Sequence, residues 1–331
     1  MKVGFVGTGW FSKTHARILG EMNGVDVTAF CGTSMEKAEK EARNWSNATA
    51  YANVEEMLDK QKLDAVYICV PPYAHGAIEY ALLERNIPFF VEKPLAMNDA
   101  PDEIAKKIAE TGLITSVGYH WRYKDLTNRA LSLLNESQVG MALGYWMGNM
   151  PMVPWWRDVH KSGGQFVEQT THIVDLLRYL CGEIHEVYAA FNNQIMQGKV
   201  EGTTVPDVGS VTMKLENGTI ATIYNTCILP NSGRVGLELY SDEGVIELHN
   251  DLLRVVKGNR VEEFKEESNP YITENQIFLD AVLTGDTSKI LSTYQDALKT
   301  HHVTMAANQS ALSGQPISLR KNKKTKKMKD L

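Results

Sequence analysis

A chain of 331 residues exceeds what one hydrophobic core comfortably serves, so two domains are the default expectation. Apolar residues make up 43% and charged ones 22%, as in ordinary globular proteins, and no apolar run approaches the roughly 20 residues that cross a bilayer. The net charge of −6 conceals a basic end: residues 320–331 hold seven Lys/Arg and one Asp, leaving 27 basic against 39 acidic residues in a body that does not suit a nucleic-acid partner.

Met1 and Lys2 run straight into an apolar strand with no secretory leader, which suggests a cytoplasmic protein. Cys31, Cys69, Cys181 and Cys227 lie far apart and form no C-x-x-C pair, so they read as buried thiols. His301 and His302 are adjacent and point to different helix faces; no histidine spacing calls for a metal.

Residues 2–6 form the first strand, and Gly7-Thr8-Gly9-Trp10-Phe11-Ser12 leads into a helix ending near residue 22. Strands over 25–31, 49–51, 64–70, 87–91 and 114–118 then alternate with helices over 36–44, 54–59, 74–85 and 99–110. That alternation predicts an α/β, doubly wound parallel sheet with right-handed crossovers. Beyond residue 120 the pattern changes. A long strand over 139–150 precedes strands over 186–193, 207–216, 219–228, 234–241, 244–249 and 252–257, separated by turns such as Glu216-Asn217-Gly218. These predict a mostly antiparallel open sheet with helices over 164–180, 273–284 and 293–312 on one face. The expected division is therefore residues 1–120, residues 121–319 as an α+β domain, and a basic tail over 320–331 without fixed structure.

Gly7-Thr8-Gly9, directly after a strand and before a helix, is the dinucleotide-binding arrangement. The first glycine permits the tight turn and the second lets the backbone approach a pyrophosphate at the positive helix end. An acidic residue capping the second strand would select NAD; the sequence there is Cys31-Gly32-Thr33-Ser34, with Lys37 one turn on. Two hydroxyls and an ammonium suit a 2′-phosphate, which tilts NAD(P) toward NADP, although Ser34 caps the helix whichever cofactor binds.

The strand over 87–91 stops abruptly at Glu92-Lys93-Pro94, placing Glu92 and Lys93 at a carboxyl end, where open α/β sheets bind ligands. Lys93 is either an acid/base group or a charge leaving the core. In the second half, Lys161-Ser162-Gly163-Gly164 opens a helix on which Glu168, His172 and Asp175 share a polar face opposite the stripe Phe166, Thr170, Ile173, Leu177 and Leu180. A carboxylate one turn before a histidine can orient its ring and raise its basicity. The preceding Trp156 and Arg157 could serve as a stacking wall and an anion contact.

These residues resemble the glucose–fructose oxidoreductase / inositol dehydrogenase / MocA (Gfo/Idh/MocA) family of NAD(P)-dependent oxidoreductases. The likeness runs through Gly7-Thr8-Gly9, Val70-Pro71-Pro72-Tyr73-Ala74-His75, Glu92-Lys93-Pro94, Gly118-Tyr119-His120-Trp121-Arg122-Tyr123 and the segment from Ser162 to Asp175. The resemblance implies an N-terminal Rossmann domain and a C-terminal domain whose open sheet mediates homodimers or homotetramers. It also implies a catalytic Lys93 with His172 as partner in proton transfer, and a cis Lys93–Pro94 bond. Val70, Pro71, Pro72, His75 and Glu92 would then line the nicotinamide side, with Trp156 and Arg157 near the cofactor. Glu168 stands where the family has Asp, which keeps the charge but shifts the substrate. The substrate implied is a sugar, inositol or related polyol, with Tyr119, Arg122, Asp158, Asp175 and Tyr271 as candidates for holding it. Alternatives within the same likeness are a redox-assisted glycosidase, a reductase of a non-sugar, or a non-catalytic cofactor-binding regulator.

Overall fold

The computed structural model describes residues 1–135 and 137–320; apart from Arg320, the basic tail lies outside the described residues. The first sheet comprises β1 (Lys2–Val6), β2 (Asp26–Cys31), β3 (Thr49–Tyr51), β4 (Ala65–Ile68), β5 (Phe89–Val91) and β6 (Thr115–Val117). Its order is β3-β2-β1-β4-β5-β6 with every pair parallel, so the winding reverses between β1 and β4. Alternating residues pack on opposite faces. Phe30, Phe5, Tyr67 and Phe90 form an aromatic row across one face with centroid spacings of 5.3, 5.1 and 5.0 Å, while Val66, Ile68, Phe89 and Val91 build the core beneath the other.

The second sheet comprises β7 (Val139–Met147), β8 (Ile184–Asn192), β9 (Val208–Leu215), β10 (Ile220–Thr226), β11 (Val235–Ser241), β12 (Gly244–His249), β13 (Leu252–Lys257), β14 (Arg260–Lys265) and β15 (Ile317–Ser318). Its order is β14-β13-β12-β11-β7-β10-β9-β8-β15, and β7 with β10 is the one parallel pair. The helices Thr171–Cys181 and Tyr294–Ser313 cover one face. Met141, Tyr188 and Tyr224 stand on the other, each roughly half exposed.

Three expectations need correction. The helix Pro270–Thr284 does not cover the second sheet: its Phe278 meets Tyr67 and Phe90 edge-on at 5.6 and 5.8 Å, within the core of the first. An apolar stripe requires a cover but does not say which sheet supplies it. The helix expected over 164–180 is two helices, Gln165–Glu168 and Thr171–Cys181, with a break at Gln169 and Thr170. The helix Asp125–Leu134 and the exposed edge strand β14 were not anticipated.

Gly144, in the middle of β7, lies against the covering helix Thr171–Cys181. A Cβ there would lie 2.7 Å from Ile173 Cγ2 and 2.9 Å from Ile223 Cγ1. Gly144→Ala is expected to cost about 1–3 kcal/mol through overpacking. The check is a lower denaturant midpoint at unchanged m-value; an unchanged midpoint would mean that the helix yields freely.

Candidate active site

The carboxyl ends of β1, β2 and β4 gather the glycine loop, Gly32-Thr33-Ser34 and Val70-Pro71-Pro72 along one edge of the first sheet. Gly7 has φ +112°, and a Cβ on it would overlap the Cys69 carbonyl oxygen at 2.2 Å, so only glycine fits this turn. Ser12 Oγ donates to Gly7 O at 2.8 Å and ties the loop to its helix. At Gly9 an added Cβ would meet nothing within 4 Å. The helix Trp10–Gly20 has no side-chain cap and no acidic residue in its first turn. An open cradle at an uncapped helix start fits a pyrophosphate. Trp10 is 66% exposed beside it, and Phe11 turns toward Lys93. After β2, Ser34 caps the next helix and Lys37 Nζ donates to Thr33 Oγ1 at 3.1 Å.

Lys93 leaves β5 through a cis Lys93–Pro94 bond and is 8% exposed. Its ammonium donates to Glu168 O at 2.8 Å and to Glu168 Oε1 at 3.0 Å. The other carboxylate oxygen, Oε2, accepts from Trp156 Nε1 at 2.8 Å. Trp156 is thus a buried support for Glu168 rather than a stacking wall. Gly163 and Gly164 make this junction possible. Both have positive φ, and a Cβ on Gly163 would press on Met97 Cε at 2.7 Å, so the close approach is to the segment following Lys93.

Because the helix breaks before Thr171, Glu168 does not share a face with His172, and no hydrogen bond joins them; its carboxylate is drawn to Lys93 instead. His172 packs against Trp146 (5.9 Å, 20°) and His120 (4.8 Å, 66°). Its Nδ1 is buried without a partner among the described residues. Burial first, and then the charges of Lys93, His120 and Lys124, hold its pKa well below the ordinary histidine value. His120 is pushed down in the same way by burial and by Lys124 and Lys93. Lys124, buried beneath the Trp121 ring and donating to Asn250 O and Oδ1, is itself lowered to about 8 by burial. Tyr271 stacks on His120 at 4.4 Å, its hydroxyl 3.4 Å from Nε2. Lys93, Glu168, His172, His120, Trp146 and Tyr271 line a cleft of about 300 Å³, at the small end of the range for small-molecule pockets. His120, Trp146, Gln169 and Asn250 border it without having been singled out. His120 lies inside a quoted motif, and Trp146 shares the inward face of β7 with Ala142 and Gly144.

Other expected site residues lie elsewhere. Arg122 and Asp175 do not reach the cleft. Arg122 Nε and a terminal nitrogen donate to the two Asp175 oxygens at 2.7 and 2.6 Å, and Thr300 Oγ1 donates to Asp175 at 2.8 Å, all in the interior. Tyr119 is buried and bonded to Thr171 Oγ1 at 2.8 Å. Asp158 accepts from His160 N and caps the short helix Val159–Ser162, and Arg157 donates to Glu201 O. His75 Nδ1 sits 2.7 Å from Glu79 Oε1 with its side chain fully buried. The Glu92 carboxylate turns inward to His15 Nε2, at 3.0 Å, and does not line the cleft. Arg122, Asp175, Tyr119 and Glu92 are thus met inside the protein by partners distant in sequence, whereas Asp158 and His75 are met by near neighbours in the chain.

The family described as "Oxidoreductase family, NAD-binding Rossmann fold" matches residues 1–119, and the "GFO/IDH/MocA C-terminal domain" matches residues 138–247. The chain is 26% identical to scyllo-inositol 2-dehydrogenase (NAD(+)) of Bacillus subtilis over 334 residues, covering 95% of each. Among solved structures it resembles myo-inositol 2-dehydrogenase from Lactobacillus plantarum (TM-score 0.81, 24% identity, 97% of this chain and 99% of that one). It also resembles levoglucosan dehydrogenase in complex with NADH and L-sorbose (TM-score 0.85, 18% identity, 97% and 99%).

The depressed His172 pKa has a testable origin. Lys93→Met removes the largest of the charge contributions, so the His172 ring should titrate at higher pH in that variant, followed by NMR of its ring protons. An unmoved titration would mean that the Lys93 charge has no part in it.

Proposed function

The chain belongs to the GFO/IDH/MocA family of NAD(P)-dependent oxidoreductases, and from that premise we propose that it reversibly oxidises a secondary alcohol of a sugar, inositol or related polyol. The observation that carries this reading is the state of Lys93. An ammonium has three N–H donors, two of which go to Glu168. The third is left for a reacting oxygen in the cleft.

A bound nicotinamide supplies the hydride acceptor in oxidation and the donor in reduction. Lys93, itself largely buried, donates to the substrate oxygen and disperses its developing negative charge. His172, kept uncharged by burial and its cationic neighbours, can accept the hydroxyl proton. Glu168 and Trp156 fix where the ammonium points. Trp146 and Tyr271 give flat walls, and Asn250 and Gln169 offer polar groups for further hydroxyls. The inositol and sugar-related names among the relatives support the polyol class.

No carboxylate stands in Gly32-Thr33-Ser34 directly after β2, Glu36 lying in the helix beyond, and Thr33 with Lys37 could bind a 2′-phosphate, which supports NADP over NAD. The outer face of the second sheet, with Met141, Tyr188 and Tyr224, is the surface through which copies of the chain would associate as a dimer or tetramer.

A panel of inositols and sugars with either cofactor, read by absorbance of reduced nicotinamide, should yield a turning-over polyol; no reduction with any of them would sink the proposal. On that substrate Lys93→Ala should lower turnover by a factor on the order of 10²–10⁴ with cofactor affinity nearly unchanged. Undiminished turnover would remove Lys93 from the mechanism. NADP should bind more tightly than NAD, and the reverse order of dissociation constants would overturn the cofactor preference.

A further inference from the structure

Three titratable side chains from three segments meet in the interior next to Lys93. His15 comes from the helix after the glycine loop, Glu92 from the end of β5, and Glu274 from the helix Pro270–Thr284. Their ligand atoms all lie within 4.8 Å of one another, and none of the three side chains is more than 5% exposed. His15 Nε2 is 3.0 Å from Glu92 Oε1, and Nδ1 is 2.9 Å from Asn275 Nδ2. A ring with its proton on Nε2 satisfies both contacts. Glu274 is different. It is 0% exposed, and neither of its oxygens has a hydrogen-bond partner among the described residues.

An ionised, unpartnered carboxylate at such a position is costly, and a second one facing it adds repulsion. Among the described residues no Lys or Arg forms an ion pair with Glu274. The groups around it are Glu92 and His15, Tyr67 and Cys69 from the β4 side, Tyr123 from the turn after β6, and Tyr271 on its own helix. Burial first, then the charge of Glu92, pushes the Glu274 carboxyl well above its ordinary range. Glu92 has little slack: a Cβ on Gly118 would lie 2.7 Å from its Oε1.

We propose that Glu274 is a neutral carboxylic acid at physiological pH, and that with His15 it seats Glu92 and so fixes the point where Lys93 enters the cleft. A divalent cation is the other way to balance two carboxylates. Both His15 nitrogens are already engaged, however, and a proton needs neither an entry path nor more ligands. Glu274 is a positioning residue. Its link to Lys93 rests on the function proposed above, while its protonation state does not.

Glutamine reproduces the shape of the neutral acid and cannot ionise. The folded chain holds the Glu274 proton at a pH where the unfolded chain releases it. This contribution to stability is therefore complete below the ordinary carboxyl pKa and is lost as pH rises toward the raised one. Glu274→Gln should melt at or above the wild-type temperature, with the gap widening from about pH 6 to pH 9. In wild-type protein labelled with carbon-13 at the glutamate side-chain carboxyl, one resonance should stay at the neutral-acid position near pH 7 and vanish in Glu274→Gln. With the polyol identified by the panel, Glu274→Gln should keep kcat/KM within about twofold near pH 7 and extend its alkaline limb, whereas Glu274→Ala should lose about tenfold or more. Three outcomes would overturn the proposal: every glutamate resonance ionised near pH 7, a variant Glu274→Gln that is less stable at all pH or does not fold, or a stoichiometric divalent metal that this variant loses. The resonance and melting results need no substrate, so they stand or fall independently of the polyol reading.

Discussion

The ammonium of Lys93 is held by one residue through two kinds of acceptor, the Glu168 backbone carbonyl and its carboxylate. That double anchor constrains much of the surrounding structure. A lysine at the end of a buried strand would otherwise swing on four methylenes, and a catalytic donor must be held within a fraction of an ångström. Here the carboxylate is itself fixed at its second oxygen by a buried indole. The result is a charge pair of which one N–H remains unspoken for, in a cleft whose two histidines have their pKa lowered by burial first and then by the same lysine and Lys124.

Bringing β5 of the first sheet to within hydrogen-bond distance of a residue 75 positions later requires the two sheets to be locked together. Two devices do this. Phe278 and Tyr294, from helices late in the chain, pack onto opposite faces of the first sheet, at 5.8 Å from Phe90 and 6.2 Å from Phe89. Arg122, just beyond β6, is bound by Asp175 and Asp296, while Arg178 meets the same two carboxylates. Removing one partner from such a buried network leaves an uncompensated charge, so it fixes geometry even where its net contribution to stability is small.

The residues explain both how much could be read from the sequence and where reading stopped. The period of the apolar runs and the Gly7-Thr8-Gly9 turn were enough for two sheets of the right kind, because strand alternation and a positive-φ glycine are local properties. Lys93, Glu168 and His172 do converge on one cleft. What failed was long-range. A helical wheel drawn through 164–180 could not show the break at Gln169–Thr170, which gives Glu168 to Lys93 rather than to His172. Nor could Asp175, spaced like a cleft residue, reveal that Arg122 and Thr300 would enclose it. Glu92 had its neighbour in sequence, Lys93, pointing to the cleft, while its own partner was His15, 77 positions earlier. Polar residues of identical type serve a reaction or a core according to partners that only the tertiary fold supplies.

The proposed function requires that a carbon–hydrogen bond of a polyol alcohol break next to Lys93. It is tested most directly with a polyol carrying deuterium on the carbinol carbon and mass spectrometry of the nicotinamide cofactor after reaction. Deuterium should appear in the reduced cofactor with the wild-type protein and be almost absent with Lys93→Ala under conditions where the variant still binds cofactor. Cofactor reduced without label, or labelled as fast by the variant as by the wild type, would contradict the account.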